Sequence, residues 1–371
     1  MTDAVPTTTP IPFVSPPGAA VPDPHTTSPA GPADLHAAVG PPQSGANRIK
    51  WLDLPSELRD EIDAMNGSPV VDEASSTTGF SPGLASVLTL ADGRRVFVKA
   101  ASEATEPYTA DLHRAEGETA VRIPDEVPSP RFLWALDDEW VVLAFEVAEG
   151  RHPITPWSRY ALARVLAAID DLARVPGARD LGLRPTGPDL AAQCTGWAQL
   201  VAEPNPGLSV FGSWVPERLD ELAELEKGVL IACEGESIVH GDLRADNIVV
   251  ADAGVQLLDW PYASRGAAWL DLALFLPSVG MQGVAAELKG VDIRSSARER
   301  EMMGHELARV FEAHPLGGTV HERDLRSVVA GITGYFLHSA LQPAPVSIPH
   351  LREFQRAQAV AALSWLEQLI D

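Results

Sequence analysis

The pattern of hydrophobic and polar positions predicts a β-rich region between residues 54 and 145. Leu54, Leu58, Ile62 and Met65 recur at three- and four-residue spacing, which predicts an amphipathic helix that stops at Asn66-Gly67. Two β-type runs follow at 85–90 and 94–100, and the Asp-Gly pair between them is a strong hairpin signal. A helix over 112–123 and a second pair of strands at 132–136 and 140–145 complete this part.

Beyond Gly150 the pattern becomes mostly helical, with an apolar stripe through residues 162–172 and further helices around 271, 298–313, 325–341 and 351–370. Two short β-type runs at 247–250 and 255–258 interrupt it. The predicted class is therefore α+β, with a small antiparallel sheet lobe and a larger, mostly helical lobe.

The first 46 residues differ in composition, because they are rich in Pro, Thr, Ser, Ala and Gly and show no hydrophobic periodicity. Such a segment buries too little apolar surface to offset its ordering entropy, so we predict a disordered Pro-rich tail. The predicted divisions are this tail at 1–46, an N-terminal lobe at 47–148 and a C-terminal lobe at 149–371.

Composition narrows the classes of partner. A formal net charge of −23 argues against nucleic acid or an anionic membrane as partner, and it favours a neutral or cationic substrate, although solubility alone explains the same charge. The two cysteines, Cys194 and Cys233, provide no disulfide framework. No signal-peptide pattern and no long apolar run occurs, so we expect a soluble, cytoplasmic protein.

Three polar residues before, at the start of and after the two short β-type runs predict a phosphoryl-transfer site. Asp242 lies in a loop ahead of the first run and is the candidate catalytic base, and Asn247 stands at the mouth of that run. Asp259 ends the second run, so a hairpin brings it beside Asn247, where two hard oxygen ligands would meet one Mg²⁺ ion. Each residue alone could instead be a turn or cap residue.

The run from His240 to Asn247 resembles the catalytic loop of the aminoglycoside phosphotransferase and choline kinase-like family, relatives of the protein kinases. His240-Gly241-Asp242 with Asn247 five residues after the Asp matches that loop, and Asp259 matches the second metal-binding Asp. Asp271-Leu272-Ala273 matches the signature that braces the loop and starts a helix. The resemblance spans about residues 60–370 and is closest to uncharacterised actinobacterial phosphotransferases. It implies a bilobal protein-kinase-like fold that uses ATP, with GTP as an alternative, together with Mg²⁺.

The resemblance assigns nucleotide-binding residues in the small lobe. Lys99 is one of only four lysines in the chain and lies in an otherwise apolar run. The family's lysine contacts the α- and β-phosphates, although a lysine that protects a sheet edge would fit the same pattern. Its usual partner is a helical glutamate, for which Glu116 aligns best. Glu118 would face elsewhere, and Gly117 departs from a good helix sequence.

The resemblance also implies main-chain contacts to the nucleotide. Gly79 and Gly83 would let the loop ahead of the Lys99 strand approach the phosphates, although the protein-kinase glycine spacing is absent. At the link between the lobes, the carbonyl of Glu146 and the N–H of Ala148 would bind adenine.

Two residues of the catalytic loop have alternative interpretations. Arg244 could neutralise the transferred phosphoryl group or form a salt bridge with Asp246, whereas His240 is expected to pack and hydrogen-bond within the loop.

Acidic residues of the large lobe could hold a cationic substrate or form a solvated helix face. These acids are Glu217, Asp220, Glu221, Glu224 and Glu226. Asp371 could line the acceptor cleft.

The predicted activity is ATP- and Mg²⁺-dependent phosphorylation of a hydroxyl on a small molecule, such as an aminoglycoside-like antibiotic, which would confer antibiotic resistance, or a metabolite. Two alternatives use the same residues. One is a kinase that phosphorylates a peptide during natural-product maturation, and the other is a nucleotide-binding pseudokinase or scaffold.

Overall fold

The computed structural model describes residues 48–76, 81–345 and 348–371. The predictions for the tail at 1–46 and for Gly79 lie outside these described residues.

The smaller lobe is an antiparallel sheet with one helix ahead of it and one inserted in it. Its elements are α1 (Ser56–Asn66), β1 (Val70–Ser75), β2 (Leu84–Leu90), β3 (Arg95–Ser102), α2 (Pro107–Ala120), β4 (Phe132–Asp137) and β5 (Trp140–Glu146). The sheet order is β1-β2-β3-β5-β4, so α2 connects β3 to the edge strand β4. This order places β3, which carries Lys99, at the centre of the sheet.

Local sequence explains these elements. Gly67 closes α1 in the left-handed conformation, at φ +67°, which an L residue adopts only at a cost. Gly117 packs α2 on the sheet, because an added Cβ would lie 3.0 Å from the Leu143 side chain. Gly117, which is unfavourable inside a helix, is thus explained by the close contact of α2 with β5.

The larger lobe is mostly helical. Its helices are α3 (Arg159–Arg174), α4 (Thr186–Gln193), α5 (Gly196–Ala202), α6 (Trp214–Glu217), α7 (Leu219–Glu226), α8 (Val229–Ala232), α9 (Leu270–Gln282), α10 (Ala297–Ala313), α11 (Glu322–Ala340) and α12 (Leu351–Ile370). Its strand pairs are β6 (Ser237–Val239) with β9 (Ser264–Gly266), β7 (Ile248–Ala251) with β8 (Gly254–Leu257), and β10 (Gly283–Val284) with β11 (Leu288–Lys289).

Each lobe has its own apolar core. The larger core gathers fully buried side chains such as Trp157, Trp197 and Trp365, whereas Leu88, Val98 and Ile62 belong to the small-lobe core. The predicted α+β class, with a small antiparallel sheet lobe and a larger helical lobe, is confirmed. Within the described ranges, no helix combines the length and apolar character needed to cross a bilayer.

Candidate active site

A cavity of about 310 Å³ lies between the lobes. Val87 and Phe97 line it from the sheet, and Val249 and Leu258 line it from the β7–β8 hairpin. At one side the chain passes between the lobes through Glu146 and Ala148, which also line the cavity. Apolar surfaces above and below a polar chain segment suit a flat heterocycle.

Lys99, Glu116 and Asp259 meet at the inner end of this cavity. Lys99 Nζ donates to both Glu116 carboxylate oxygens, at 2.8 and 2.7 Å, and to Asp259 Oδ1 at 2.6 Å. Glu116 is buried and Glu118 is exposed, so the expected pairing of Lys99 with Glu116 is present. This trio of side chains, Lys99, Glu116 and Asp259, joins the sheet, α2 and the end of β8.

The electrostatics of the trio keep Lys99 charged. Burial lowers the pKa of Lys99, but Asp259 and Glu116 outweigh burial and raise it above its ordinary value. Burial likewise raises the pKa of Asp259, and Lys99 overcomes this effect and holds that pKa at about 2. Near pH 7 Lys99 is therefore an ammonium group and Asp259 a carboxylate, whereas burial raises the pKa of Glu116 above its ordinary value and Lys99 opposes this effect.

Asp242 is held on both sides of its carboxylate. Arg244 NH1 donates to Asp242 Oδ1 at 3.1 Å, and Asn247 Nδ2 donates to Asp242 Oδ2 at 3.2 Å and to the Asp242 main-chain oxygen at 2.8 Å. Arg244 also binds both carboxylate oxygens of Asp246 at 3.1 Å. The salt bridge considered for Arg244 is thus present, and the same guanidinium orients Asp242.

Burial gives Asp242 the titration range of a general base. Burial raises its pKa to about 7, with Asp259 and Asp246 acting in the same direction and Arg244 opposing them. A base with a pKa near the working pH combines an adequate ionised fraction with useful basicity.

The loop that carries Asp242 is fixed by backbone hydrogen bonds. Asp271, in the first turn of α9, accepts from the N–H groups of His240 and Gly241 at 2.7 and 2.8 Å. His240 Nε2 lies 2.9 Å from the Leu258 carbonyl oxygen, and its Nδ1 accepts from the Asp242 N–H at 3.2 Å. Burial lowers the pKa of His240 to about 4, so its imidazole is neutral near pH 7 and supports the loop through hydrogen bonds. The expectation that His240 packs within the loop is confirmed.

The donor set fits Mg²⁺. The antiparallel β7–β8 hairpin predicted from the sequence is present, and the Leu258 N–H donates to the Asn247 carbonyl oxygen at 2.8 Å, directly before Asp259. Asn247 forms its hydrogen bonds through Nδ2, so its Oδ1 and the half-exposed Asp259 carboxylate are hard oxygen donors. Among the described residues, no group of three or more His, Cys, Asp or Glu side chains is placed to hold a metal ion.

Gly83 lies where the loop ahead of β2 returns to the sheet. It has φ +98°, and an added Cβ would lie 2.4 Å from the Ala100 carbonyl oxygen, next to Lys99 in sequence. Any larger residue would push β2 and β3 apart at this point. At the opposite end of β3, where Val96 pairs with Glu146, the Glu146 N–H donates to the Arg131 carbonyl oxygen at 2.9 Å, which fixes the start of the interlobe link.

A second, much smaller cavity of about 20 Å³ adjoins the catalytic loop. Its walls include Asp242, Arg244 and Tyr335 together with two glutamines, Gln193 and Gln358. Both glutamine Oε1 atoms are buried without a hydrogen-bond partner among the described residues. Sequence reasoning missed these glutamines, because their helices carry no motif.

The acids considered for a cationic substrate lie elsewhere. Glu226 accepts from the N–H groups of Trp197 and Ala198 and so caps α5, while Asp371 binds Trp214 Nε1 and Arg218. The remaining four, Glu217, Asp220, Glu221 and Glu224, are exposed on α6 and α7. The described lining of the cavity beside Asp242 includes none of these acids.

Arg48 is a further residue that sequence reasoning missed. Its backbone forms a parallel bridge with Gly83, and its side chain lies within electrostatic reach of Asp259 and Asp246. Nothing in the surrounding sequence marks it, because it stands just after the Pro-rich tail and outside any periodic pattern.

Comparisons with known proteins give a family match for this chain and similar solved structures. The model of the phosphotransferase enzyme family matches residues 78–305. No match is found among curated proteins.

Three similar solved structures are an aminoglycoside-3'-phosphotransferase of type VIII, a choline kinase from Cryptosporidium parvum Iowa II and a macrolide 2'-phosphotransferase type I. The first is 22% identical with a TM-score of 0.44, over 76% of this chain and 100% of its own. The second is 13% identical with a TM-score of 0.49, over 85% and 97%. The third is 16% identical with a TM-score of 0.49, over 79% and 92%.

Proposed function

The chain belongs to the phosphotransferase enzyme family, and from that premise we propose that it transfers the γ-phosphate of ATP to a hydroxyl group of a small molecule. One observation carries the proposal. The Lys99–Glu116–Asp259 trio and the Asp242–Asn247 pair lie at the same interlobe cleft, linked by the Asn247–Leu258 hydrogen bond. Phosphoryl transfer requires this combination of cation, metal ligands and base.

We assign the larger cavity to the nucleotide. Adenine would lie between the apolar side chains and bind the main chain of Glu146 and Ala148, with Lys99 at the α- and β-phosphates and the Gly83 loop above them. Asn247 and Asp259 would hold Mg²⁺, which when bound neutralises the charge of the phosphates.

Asp242 would accept or orient the proton of the acceptor hydroxyl. Its two oxygens are held by Arg244 and Asn247, so its direction is set before substrate arrives. We assign Arg244 a positioning role, because its guanidinium already binds both Asp242 and Asp246.

The acceptor would enter beside Asp242. Helices α4, α9, α11 and α12 supply walls of the small cavity there, which at about 20 Å³ has room for about one water-sized polar group of an acceptor. Buried unpaired carbonyl oxygens favour ligands that satisfy them, so Gln193 and Gln358 point to a hydroxyl or amino group next to the reacting hydroxyl.

An acceptor screen tests the proposal. Full-length protein, ATP and Mg²⁺ would be incubated with aminoglycosides, nucleosides, amino alcohols or serine-containing peptides, and ADP release would be compared with an acceptor-free control. We expect ADP release that depends on a small hydroxyl compound. Release that only peptides stimulate would favour the peptide kinase, and nucleotide binding without transfer to any acceptor would favour the pseudokinase.

A further inference from the structure

The segment directly ahead of the small lobe is anchored beside the phosphate end of the nucleotide cavity. The Ile49 N–H donates to the Gly83 carbonyl oxygen at 3.3 Å, and Arg48 bridges the same glycine. Trp51 and Leu54 are buried in the small-lobe core, and the Trp51 N–H donates to Glu73 at 2.9 Å. Arg48 is therefore held by a packed structure.

The bridge fixes where Arg48 lies relative to the trio. Gly83 abuts Ala100, which follows Lys99 on β3, and Lys99 reaches Asp259. The Arg48 side chain is half-buried. Burial lowers the pKa of Arg48 below its ordinary value, and the carboxylates of Asp259 and Asp246 oppose this effect in part, so both acids lie within electrostatic range of the guanidinium.

The cleft requires positive charge at this point. Lys99 binds Glu116 and Asp259, and Arg244 binds Asp242 and Asp246, so both cations are already shared between carboxylates. The terminal phosphate would enter near Asp259 together with Mg²⁺, which balances only part of the negative charge of the nucleotide. A guanidinium suits it, because its planar fork matches two phosphate oxygens.

We propose that Arg48 is a further phosphate-binding residue, which contacts the γ-phosphate from the segment ahead of the small lobe. This inference rests on the proposed function, since it assumes that the larger cavity holds ATP. Arg48 lies outside the residues 78–305 that match the family model, so the segment adds a contact to the site that the matched residues form.

Calorimetric titration of the full-length protein with two nucleotides tests the inference. The probes are Mg²⁺ with AMP-PNP, a non-hydrolysable ATP analogue, and Mg²⁺ with ADP, which lacks the γ-phosphate. For Arg48→Met we expect affinity for AMP-PNP to fall about tenfold or more and affinity for ADP to change less than about threefold. Arg48→Lys keeps the positive charge but lacks the planar guanidinium, so its affinity for AMP-PNP should lie between those of Arg48→Met and wild type.

Arg94→Met is the matched control, because Arg94 lies at the far end of the β2–β3 hairpin and pairs with Asp92; both affinities should match wild type. Unchanged AMP-PNP binding in Arg48→Met, or an equal loss for both nucleotides, would overturn the inference alone. So would tighter binding of both, which would mark Arg48 as a residue that blocks the cavity. Wild-type protein that binds neither nucleotide would overturn the proposed function as well.

Discussion

Lys99 Nζ and Asp259 Oδ1 lie 2.6 Å apart and join the two lobes across the cleft. Lys99 belongs to β3 of the small lobe, whereas Asp259 follows β8 of the large lobe and adopts the left-handed conformation, at φ 68°. An L residue in this region is strained, which is typical of functional sites. The contact sets the spacing of the lobes around the phosphate end of the cavity.

Removal of Lys99 should destabilise the fold through Glu116. In Lys99→Met the buried Glu116 carboxylate loses its cation, so the free energy of unfolding should fall by about 3–5 kcal/mol. Urea denaturation measures the change. The double variant Lys99→Met/Glu116→Leu should recover much of the stability, whereas nucleotide affinity should stay low. Equal stability of wild type and Lys99→Met would show that the pair is not formed.

The site was predictable from sequence where short spacing and turns determine it. Asn247 and Asp259 lie at the open end of a hairpin whose two strands are joined by a short turn, so the hairpin and the meeting of their backbones followed from local rules. Glu116 was distinguishable from Glu118 because only one of two residues so spaced can face the sheet.

Elements without a local pattern were missed. Strand β1 reads Val-Val-Asp-Glu-Ala-Ser and is largely exposed at the sheet edge, so it has no apolar alternation. Helix α2 begins at Pro107, five residues before its predicted start, because its first turn, Pro-Tyr-Thr-Ala, has no long aliphatic side chain to mark a helical stripe. Arg48 and Gln358 depend on tertiary packing, which periodicity does not encode.

Asp271 should act through the backbone of the catalytic loop. Asp271→Asn keeps one acceptor oxygen but turns an amide N–H₂ towards a backbone N–H, so each lost charged hydrogen bond should cost about 1.5–3 kcal/mol of stability. Steady-state kinetics should show a lower kcat with a nucleotide KM close to wild type. Asp252→Asn, in the exposed β7–β8 turn, is the control and should change neither quantity. A raised KM with unchanged kcat would contradict the positioning role.

The pH profile should report Asp242. A base acts in its ionised form, so kcat/KM should rise about tenfold per pH unit below its pKa of about 7 and level off above it. Because Arg244 lowers this pKa, Arg244→Met should move the inflection to higher pH. An inflection below pH 5 in wild type would contradict the assignment.

The same group should affect stability with a defined sign. The pKa of Asp242 is about 7 in the folded protein and about 3.9 in an unfolded chain. The folded state therefore retains a proton between these values, and this group makes the protein less stable as pH rises through that window. Asp242→Asn removes the effect, so its unfolding free energy relative to wild type should increase from pH 4 to pH 7. A decrease would show that the carboxylate is stabilised by ionisation.

Gln358 should set the choice of acceptor. Gln358→Leu removes one buried amide oxygen, so the preference for an acceptor with a second hydroxyl or amino group over its deoxy analogue should fall about tenfold. The ratio of kcat/KM for the two acceptors measures the preference. Gln199→Leu, on the exposed side of α5, should leave the ratio unchanged. An unchanged ratio in both Gln193→Leu and Gln358→Leu would remove the glutamines from acceptor recognition.

Phosphorus NMR of a reaction with ATP, Mg²⁺ and the best acceptor tests the central claim most directly, with wild-type protein compared with Asp242→Asn. The account predicts that wild type produces a phosphomonoester signal in step with ADP. The Asp242→Asn variant should bind nucleotide normally but form this product at least about a hundredfold more slowly. Product formation at the wild-type rate by Asp242→Asn, or ADP and inorganic phosphate without any phosphomonoester from wild type, would contradict the account.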